Sequence, residues 1–198
     1  EVGDYGSPVP YLRPAPLIVD HWSDRLDSSS IINIALHWQG NPAAEVEDLQ
    51  GRSIPLHAFE GLSLPSGCRF VSLQKGFGSE QMSLCQFADQ FTSVQAEIDQ
   101  EWGFSHASAI LACCDLLITS DSAIAHLAGA MGRPVWLLLH HLPDWRWGLQ
   151  GGLATVWYLT VRVFCQEAPG DWEGVIDRVS GELNDFLDDC MVRRANSV

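Results

Sequence analysis

The densest run of chemistry-bearing residues in the chain is Thr119-Ser120-Asp121-Ser122-Ala123-Ile124-Ala125-His126-Leu127-Ala128-Gly129-Ala130. An apolar stretch, Asp115-Leu116-Leu117-Ile118-Thr119, runs into a polar turn and then into small residues at helical spacing. The first turn of a helix offers N–H groups without intrahelical partners and the positive end of its dipole, which together suit a phosphate. Asp121 and Ser122 stand at that turn, and His126 lies one turn in, able to donate to a phosphate oxygen. The same residues also fit a structural role, with Asp121 capping a tightly packed helix and His126 satisfied where it sits.

Two further groups could serve one ligand. Gly40-Asn41-Pro42 is followed by Asp48 and by Arg52-Ser53. The planar fork of Arg52 suits phosphate oxygens; the alternative is a surface arginine paired with Glu47 or Asp48. Pro143-Asp144-Trp145-Arg146-Trp147 sets an arginine between two indoles, a stacking rim for a base or sugar made of Trp145, Arg146 and Trp147, or else an aromatic cluster closing the domain. Lys75, the chain's one lysine, opens a glycine-bearing loop and joins the candidate anion-binding set. The adjacent His140 and His141 fit either a metal ligand pair or a polar loop after a strand.

Whole-chain arithmetic narrows the partners. Twenty-five acids against 11 bases give a net charge of −14 over 198 residues. Such a chain repels nucleic-acid backbones and anionic membranes, and binds a small anion only by gathering its few bases in one place. Six cysteines show no C-x-x-C spacing and read as reduced thiols, the state of a cytoplasmic protein. No apolar run reaches spanning length, so membrane insertion is not expected. The dinucleotide fingerprint, the P-loop, the G-x-S-x-G elbow, H-E-x-x-H and D-x-D are all absent. No metal and no cofactor are therefore expected.

These residues need a scaffold, and the pattern supplies one. Apolar, β-branched runs at 31–36, 69–74, 115–119, 134–139 and 161–164 read as buried strands, with a weaker one near 93–98. Helical spacing marks 19–26, 55–62, 106–114, 122–131 and 171–187, the last capped by Asp171. Near-continuous apolar strands alternating with helices predict an α/β domain, a Rossmann-like parallel sheet with helices on both faces. The organisation expected is an extended lead-in over 1–30 and one domain over 31–198.

Six strings then occur in one order: His37-Trp38-Gln39-Gly40-Asn41-Pro42, Arg52-Ser53-Ile54-Pro55-Leu56, Val71-Ser72-Leu73-Gln74-Lys75-Gly76, Asp121 to Ala130, Pro134-Val135-Trp136-Leu137-Leu138 and Asp144-Trp145-Arg146-Trp147. Together they resemble the C-terminal, donor-binding half of bacterial glycosyltransferases often attached to tetratricopeptide repeats, relatives of the lipopolysaccharide heptosyltransferases. The resemblance runs from about Pro10 through Trp172. It implies a GT-B architecture, two Rossmann-like domains facing one cleft, with a nucleotide-sugar held by the second domain and the N-terminal domain outside this chain. It implies that Asp121, Ser122 and His126 line the donor site, that Arg52 lies near the diphosphate, and that Pro10-Tyr11-Leu12 is the interdomain hinge.

Departures from the family pattern are Ser122 where Thr is usual, His106-Ala107 where Asp-Thr is expected, Leu159 in place of a proline, and Cys165 in place of an arginine before Gln166. The function implied is the donor half of an inverting, metal-independent transferase using a nucleoside-diphosphate sugar. Its rivals are a non-catalytic sugar-nucleotide or protein-binding module on the same fold, and an unrelated Rossmann-like hydrolase or epimerase.

Overall fold

A computed structural model describes residues 9–45, 51–92, 94–100, 103–147 and 155–196. Glu47 and Asp48, weighed above as partners of Arg52, lie outside the described residues, as do Ser93 and the first eight positions of the lead-in.

Five strands form one parallel sheet: β1 (Ile32–His37), β2 (Cys68–Ser72), β3 (Leu116–Ser120), β4 (Val135–Leu139) and β5 (Val161–Cys165), in the order β2-β1-β3-β4-β5. The helices are α1 (Pro16–Arg25), α2 (Gln95–Gln100), α3 (Ser105–Ala112), α4 (Ala123–Ala130) and α5 (Trp172–Ala195), with a 3-10 segment at Leu56–Gly61. Every residue of β1, β3 and β4 is buried, as apolar runs covered on both faces require.

Alternation along the strands splits the core into two layers. Ala35, Leu117, Leu137 and Val163 point to a layer containing Trp22, Ile110 and Ala125 from α1, α3 and α4. Ile34, Ile118, Leu138 and Phe164 point to the other, against Leu56, Phe59 and the α5 stripe Val175, Val179, Leu183 and Leu187. That stripe repeats every four residues, which keeps one face of α5 on the sheet. Asp171 caps it, accepting from the Gly174 N–H at 2.9 Å.

One expectation changes. The segment 95–100, read as the end of a weak strand, is helix α2. Its one buried residue is Ile98 among polar helix formers, so a single contact with the core satisfies it and no ladder is needed. The lead-in contains the helix expected over 19–26. It carries α1, whose Trp22 is buried and donates from its indole N–H to His106 Nδ1 at 3.0 Å, while the Tyr11 N–H donates to the Ala130 carbonyl at 3.0 Å. Residues 11–26 are thereby tied to α3 and α4.

Candidate functional site

The strand order reverses direction between β1 and β3. In open parallel sheets the crevice outside the carboxyl ends at such a switch point is where ligands bind. A cavity of about 540 Å³ lies there. His37 ends β1 and reaches it, Leu73 and Lys75 come from just past β2, and Asp121, Ser122 and Ala123 from the turn after β3. Arg52 and Gly40 line it from the connection after β1, and Phe104, His106 and Ile110 from the start of α3.

Four of the residues singled out in the sequence therefore meet in one cavity: Arg52, Lys75, Asp121 and Ser122. Arg52 is anchored by Glu45, its Nε 3.4 Å from Glu45 Oε1, a partner other than the two weighed from the sequence. Glu45 is itself held, accepting from the Ser53 hydroxyl and, at 3.4 Å, from the Ser53 N–H. The guanidinium lies across Gly40, so close that a Cβ there would stand 2.7 Å from Nη2. Lys75 Nζ donates to the Ile98 carbonyl at 3.2 Å, which holds the ammonium along the cavity wall.

Helix α4 starts one residue later than an Asp121 cap requires. Ser122 is the N-cap and no side chain caps the helix; its hydroxyl instead stands 3.2 Å from Thr119 Oγ1. The uncapped first turn, Ser122 to Ile124, faces the cavity, and buried Asp121 sits beside it. This is the anion-binding geometry of a helix start, unobstructed by a carboxylate cap.

His126 does not line the cavity. It is stacked on Trp147, ring centroids 4.5 Å apart and planes at 14°, and its Nδ1 is 3.2 Å from the Tyr158 hydroxyl. Burial lowers its pKa, against an opposing pull from Asp121. Nor do Trp145, Arg146 and Trp147 form one rim. Trp147 is wholly buried, Trp145 is exposed, and Arg146 pairs with Asp144 at 3.0 Å. Three consecutive residues of a short 3-10 turn point in different directions, so alternate indoles cannot share a face. Among the described residues no group of three His, Cys, Asp or Glu side chains is placed to hold a metal. His141 packs against Gln166, its backbone N–H 3.2 Å from Oε1 and its Nδ1 3.3 Å from the Gln166 carbonyl oxygen.

Sequence reasoning passed over two residues that build the site. His37 is buried at the end of β1, and burial first, with Arg52 adding, lowers its pKa to about 4; it is a neutral imidazole whose Nδ1 has no partner among the described residues. Gln74 is buried and clasps both loops that form the cavity mouth. Its Oε1 accepts from the N–H groups of Trp38 and Gln39 at 3.0 and 2.9 Å, and its Nε2 donates to the carbonyls of Gln39 and Phe77 at 2.8 and 2.6 Å. Both lie in quoted motifs; only their position after a strand end marked them. The cavity thus combines two cations, the buried Asp121, a neutral imidazole and an open helix start with an apolar wall of Leu73, Ile98 and Ile110 and the exposed rings of Phe77 and Phe104. Such a set can hold a molecule with an anionic group and a flat or apolar portion.

Residues 77–147 match the model of glycosyltransferase family 9 (heptosyltransferase). Over 179 residues the chain is 30% identical to Protein FlbA of Caulobacter vibrioides, covering 89% of this chain and 29% of FlbA. Its fold matches that of E. coli ADP-heptose lps heptosyltransferase II with a TM-score of 0.60 and 18% identity, over 90% of this chain and 53% of that one. It also matches the Anabaena protein HepE, whose structure is a complex with UDP-glucose, with a TM-score of 0.50 and 14% identity, over 95% of this chain and 46% of that one. The chain spans about three tenths of the curated relative and about half of each of these structures. A segment of it is thus similar to glycosyltransferase family 9, and its parallel α/β fold is shared with the heptosyltransferase structure.

Proposed function

We propose that this chain is the donor-binding half of an inverting, metal-independent glycosyltransferase that uses a nucleoside-diphosphate sugar. The observation that carries the reading is the convergence of Arg52, Lys75 and the uncapped start of α4 on one cavity at the β1/β3 switch point. Departure of a nucleoside diphosphate builds negative charge on the leaving oxygens. The Arg52 guanidinium and the N–H groups of Ser122 to Ile124 supply preorganised positive potential for it without a metal. The apolar wall and the rings of Phe77 and Phe104 take the base or sugar. The acceptor hydroxyl's general base comes from the partner domain of a two-domain enzyme.

A thermal-shift screen of the chain against ADP-, GDP-, UDP- and dTDP-linked sugars tests this. At least one should give a saturable stabilisation that Arg52→Ala removes. Transfer by residues 1–198 alone is expected to be absent, since positioning two reactants takes both sides of the cleft. Robust transfer by the isolated chain would overturn the half-enzyme reading and direct attention to His140, His141 and Asp144.

A second reading, a non-catalytic sugar-nucleotide or protein-binding module, is favoured by one observation. His106 lines the cavity where the family resemblance expects an acid, and it accepts a hydrogen bond from the Trp22 indole. Donor binding by the complete protein without transfer or donor hydrolysis would select it.

A further inference from the structure

The polar groups that the proposed function uses are donors: the Arg52 guanidinium, the Lys75 ammonium and the N–H groups at the start of α4. Donors suit phosphate oxygens. A nucleoside-diphosphate sugar also carries hydroxyls, on its ribose and on its sugar, and each brings a proton that needs an acceptor. Two amide oxygens of the same wall are already engaged: Gln39 Oε1 accepts from Gln81 Nε2 at 2.8 Å, and Asn41 Oδ1 from the Ala43 N–H at 3.0 Å. The Asp121 carboxylate is one acceptor there, and His37 supplies another, without a charge.

His37 closes β1 opposite Thr119 and is buried, yet it lines the cavity. Its two ring nitrogens stand in different surroundings. Nδ1 is sealed from solvent with no partner among the described residues, whereas Nε2 is not sealed and has no partner there either. A ligand contact therefore falls to Nε2. The ring is neutral, held so first by burial and also by the charge of Arg52, so one nitrogen carries the single proton and the other a lone pair. The residue's own carbonyl favours a proton on the ring, and by covalent geometry it is Nδ1 that lies on its side. The proton thus belongs on Nδ1, and Nε2 turns a lone pair to the cavity. A lone pair repels a phosphate oxygen and accepts from a hydroxyl.

We propose that His37 is a specificity-determining residue whose Nε2 accepts a hydrogen bond from a hydroxyl of the bound nucleotide sugar. The proposal rests on the nucleoside-diphosphate-sugar reading of the cavity and adds the group that separates a hydroxylated ligand from its deoxy analogue. A ligand lacking the hydroxyl leaves a nearly buried acceptor unpaired, and sites built in this way reject such analogues. The ring is close enough to Arg52 to feel its charge, which puts the hydroxyl next to the diphosphate. Ribose and sugar both flank a diphosphate, so the same chemistry has two sources in one ligand.

The test titrates the wild-type chain, His37→Leu and His37→Gln with ADP, GDP and UDP, with their 2′,3′-dideoxy forms, and with ADP-, GDP- and UDP-glucose. Leucine removes the acceptor and suits a buried strand end; glutamine returns an amide oxygen. For the nucleotide that binds, His37→Leu should weaken the hydroxyl-bearing ligand by about fivefold, the loss of one neutral hydrogen bond, and His37→Gln should recover part of it. A loss for the nucleoside diphosphate that disappears in its dideoxy form assigns the contact to ribose. A loss seen only with the glucose conjugate assigns it to the sugar, and either result supports the proposal. Nitrogen-15 spectra of the wild-type protein give the answer if His37→Leu does not fold: His37 Nε2 should be unprotonated and should shift when the hydroxylated ligand is added. Equal weakening of every ligand, dideoxy forms included, or a protonated Nε2 would overturn the proposal. Should no nucleotide bind the wild-type chain, the functional reading falls and the proposal with it. Binding that Arg52→Ala weakens and His37→Leu leaves unchanged would overturn the proposal alone.

Discussion

The imidazole of His126 lies flat on the indole of Trp147, with 4.5 Å between centroids and 14° between planes. The pair ties α4 to the 3-10 turn after β4, and the Tyr158 hydroxyl closes the arrangement at 3.2 Å from Nδ1. Tyr158 also explains the small residue at 129, since a Cβ there would stand 2.6 Å from its ring. The small residues of α4 thus serve packing against an aromatic neighbour as well as the helix start at the cavity.

From this follows the first prediction. His126→Ala should lower stability by about 1–2 kcal/mol, the sum of a stacked aromatic pair and one hydrogen bond. Nucleotide affinity should change little, because the ring is outside the cavity wall. Urea denaturation and a nucleotide titration on the same variant check both parts; a stable variant with lost affinity would return His126 to the donor site.

The second prediction concerns acid. His37 has a pKa of about 4 in the fold against 6.5 as a free side chain, so the unfolded chain binds its proton first. Its neutral form contributes stability that is whole above about pH 6.5 and is lost as the pH falls from there toward 4. The gap corresponds to roughly 3 kcal/mol. His126 and His140 are shifted in the same direction and add to the slope. His37→Gln should therefore flatten, without abolishing, the decline of the urea midpoint between pH 6.5 and 4.

How far the sequence disclosed this molecule depends on how each signal is encoded. All five strands of the sheet were legible because a parallel strand buried on both faces is a short unbroken apolar run, as Leu116 to Ile118 and Val135 to Leu139 are. Helix α2 was not, since four polar residues and one alanine around Ile98 carry no helical stripe. In the site, Arg52 and Lys75 were legible from their charge in glycine-bearing loops, and Asp121 and Ser122 from the polar turn between an apolar run and a small-residue helix. His37 and Gln74 were passed over because a buried polar residue at the end of an apolar run looks like the end of the run. Trp147 was read as a rim because composition cannot say which of two neighbouring indoles turns inward.

Arg52→Ala is the third test. The guanidinium is proposed to meet the diphosphate, so the substitution should weaken a nucleoside diphosphate by about ten- to a hundredfold, the loss of one charge-assisted contact. The matching nucleoside should bind as before. Calorimetric titration of both ligands separates this from a structural role, in which the two would weaken together.

The fourth prediction uses Gly40 to move Arg52 without removing it. A Cβ at position 40 would stand 2.7 Å from Nη2 and 3.0 Å from both Cζ and Nε, closer than side chains pack. Position 40 has no left-handed backbone, so alanine is tolerated by the main chain there. The obstacle is the far end of a long side chain, which swings aside cheaply. Gly40→Ala should thus leave Tm nearly unchanged while pushing the guanidinium off its seat beside Glu45. Binding of a nucleoside diphosphate should then fall by about tenfold, toward the value of Arg52→Ala, and the double variant should be no weaker than Arg52→Ala alone. That non-additivity is the deciding measurement. If the two losses simply add, Gly40 contacts the ligand through its own backbone, and the guanidinium does not depend on the gap it leaves.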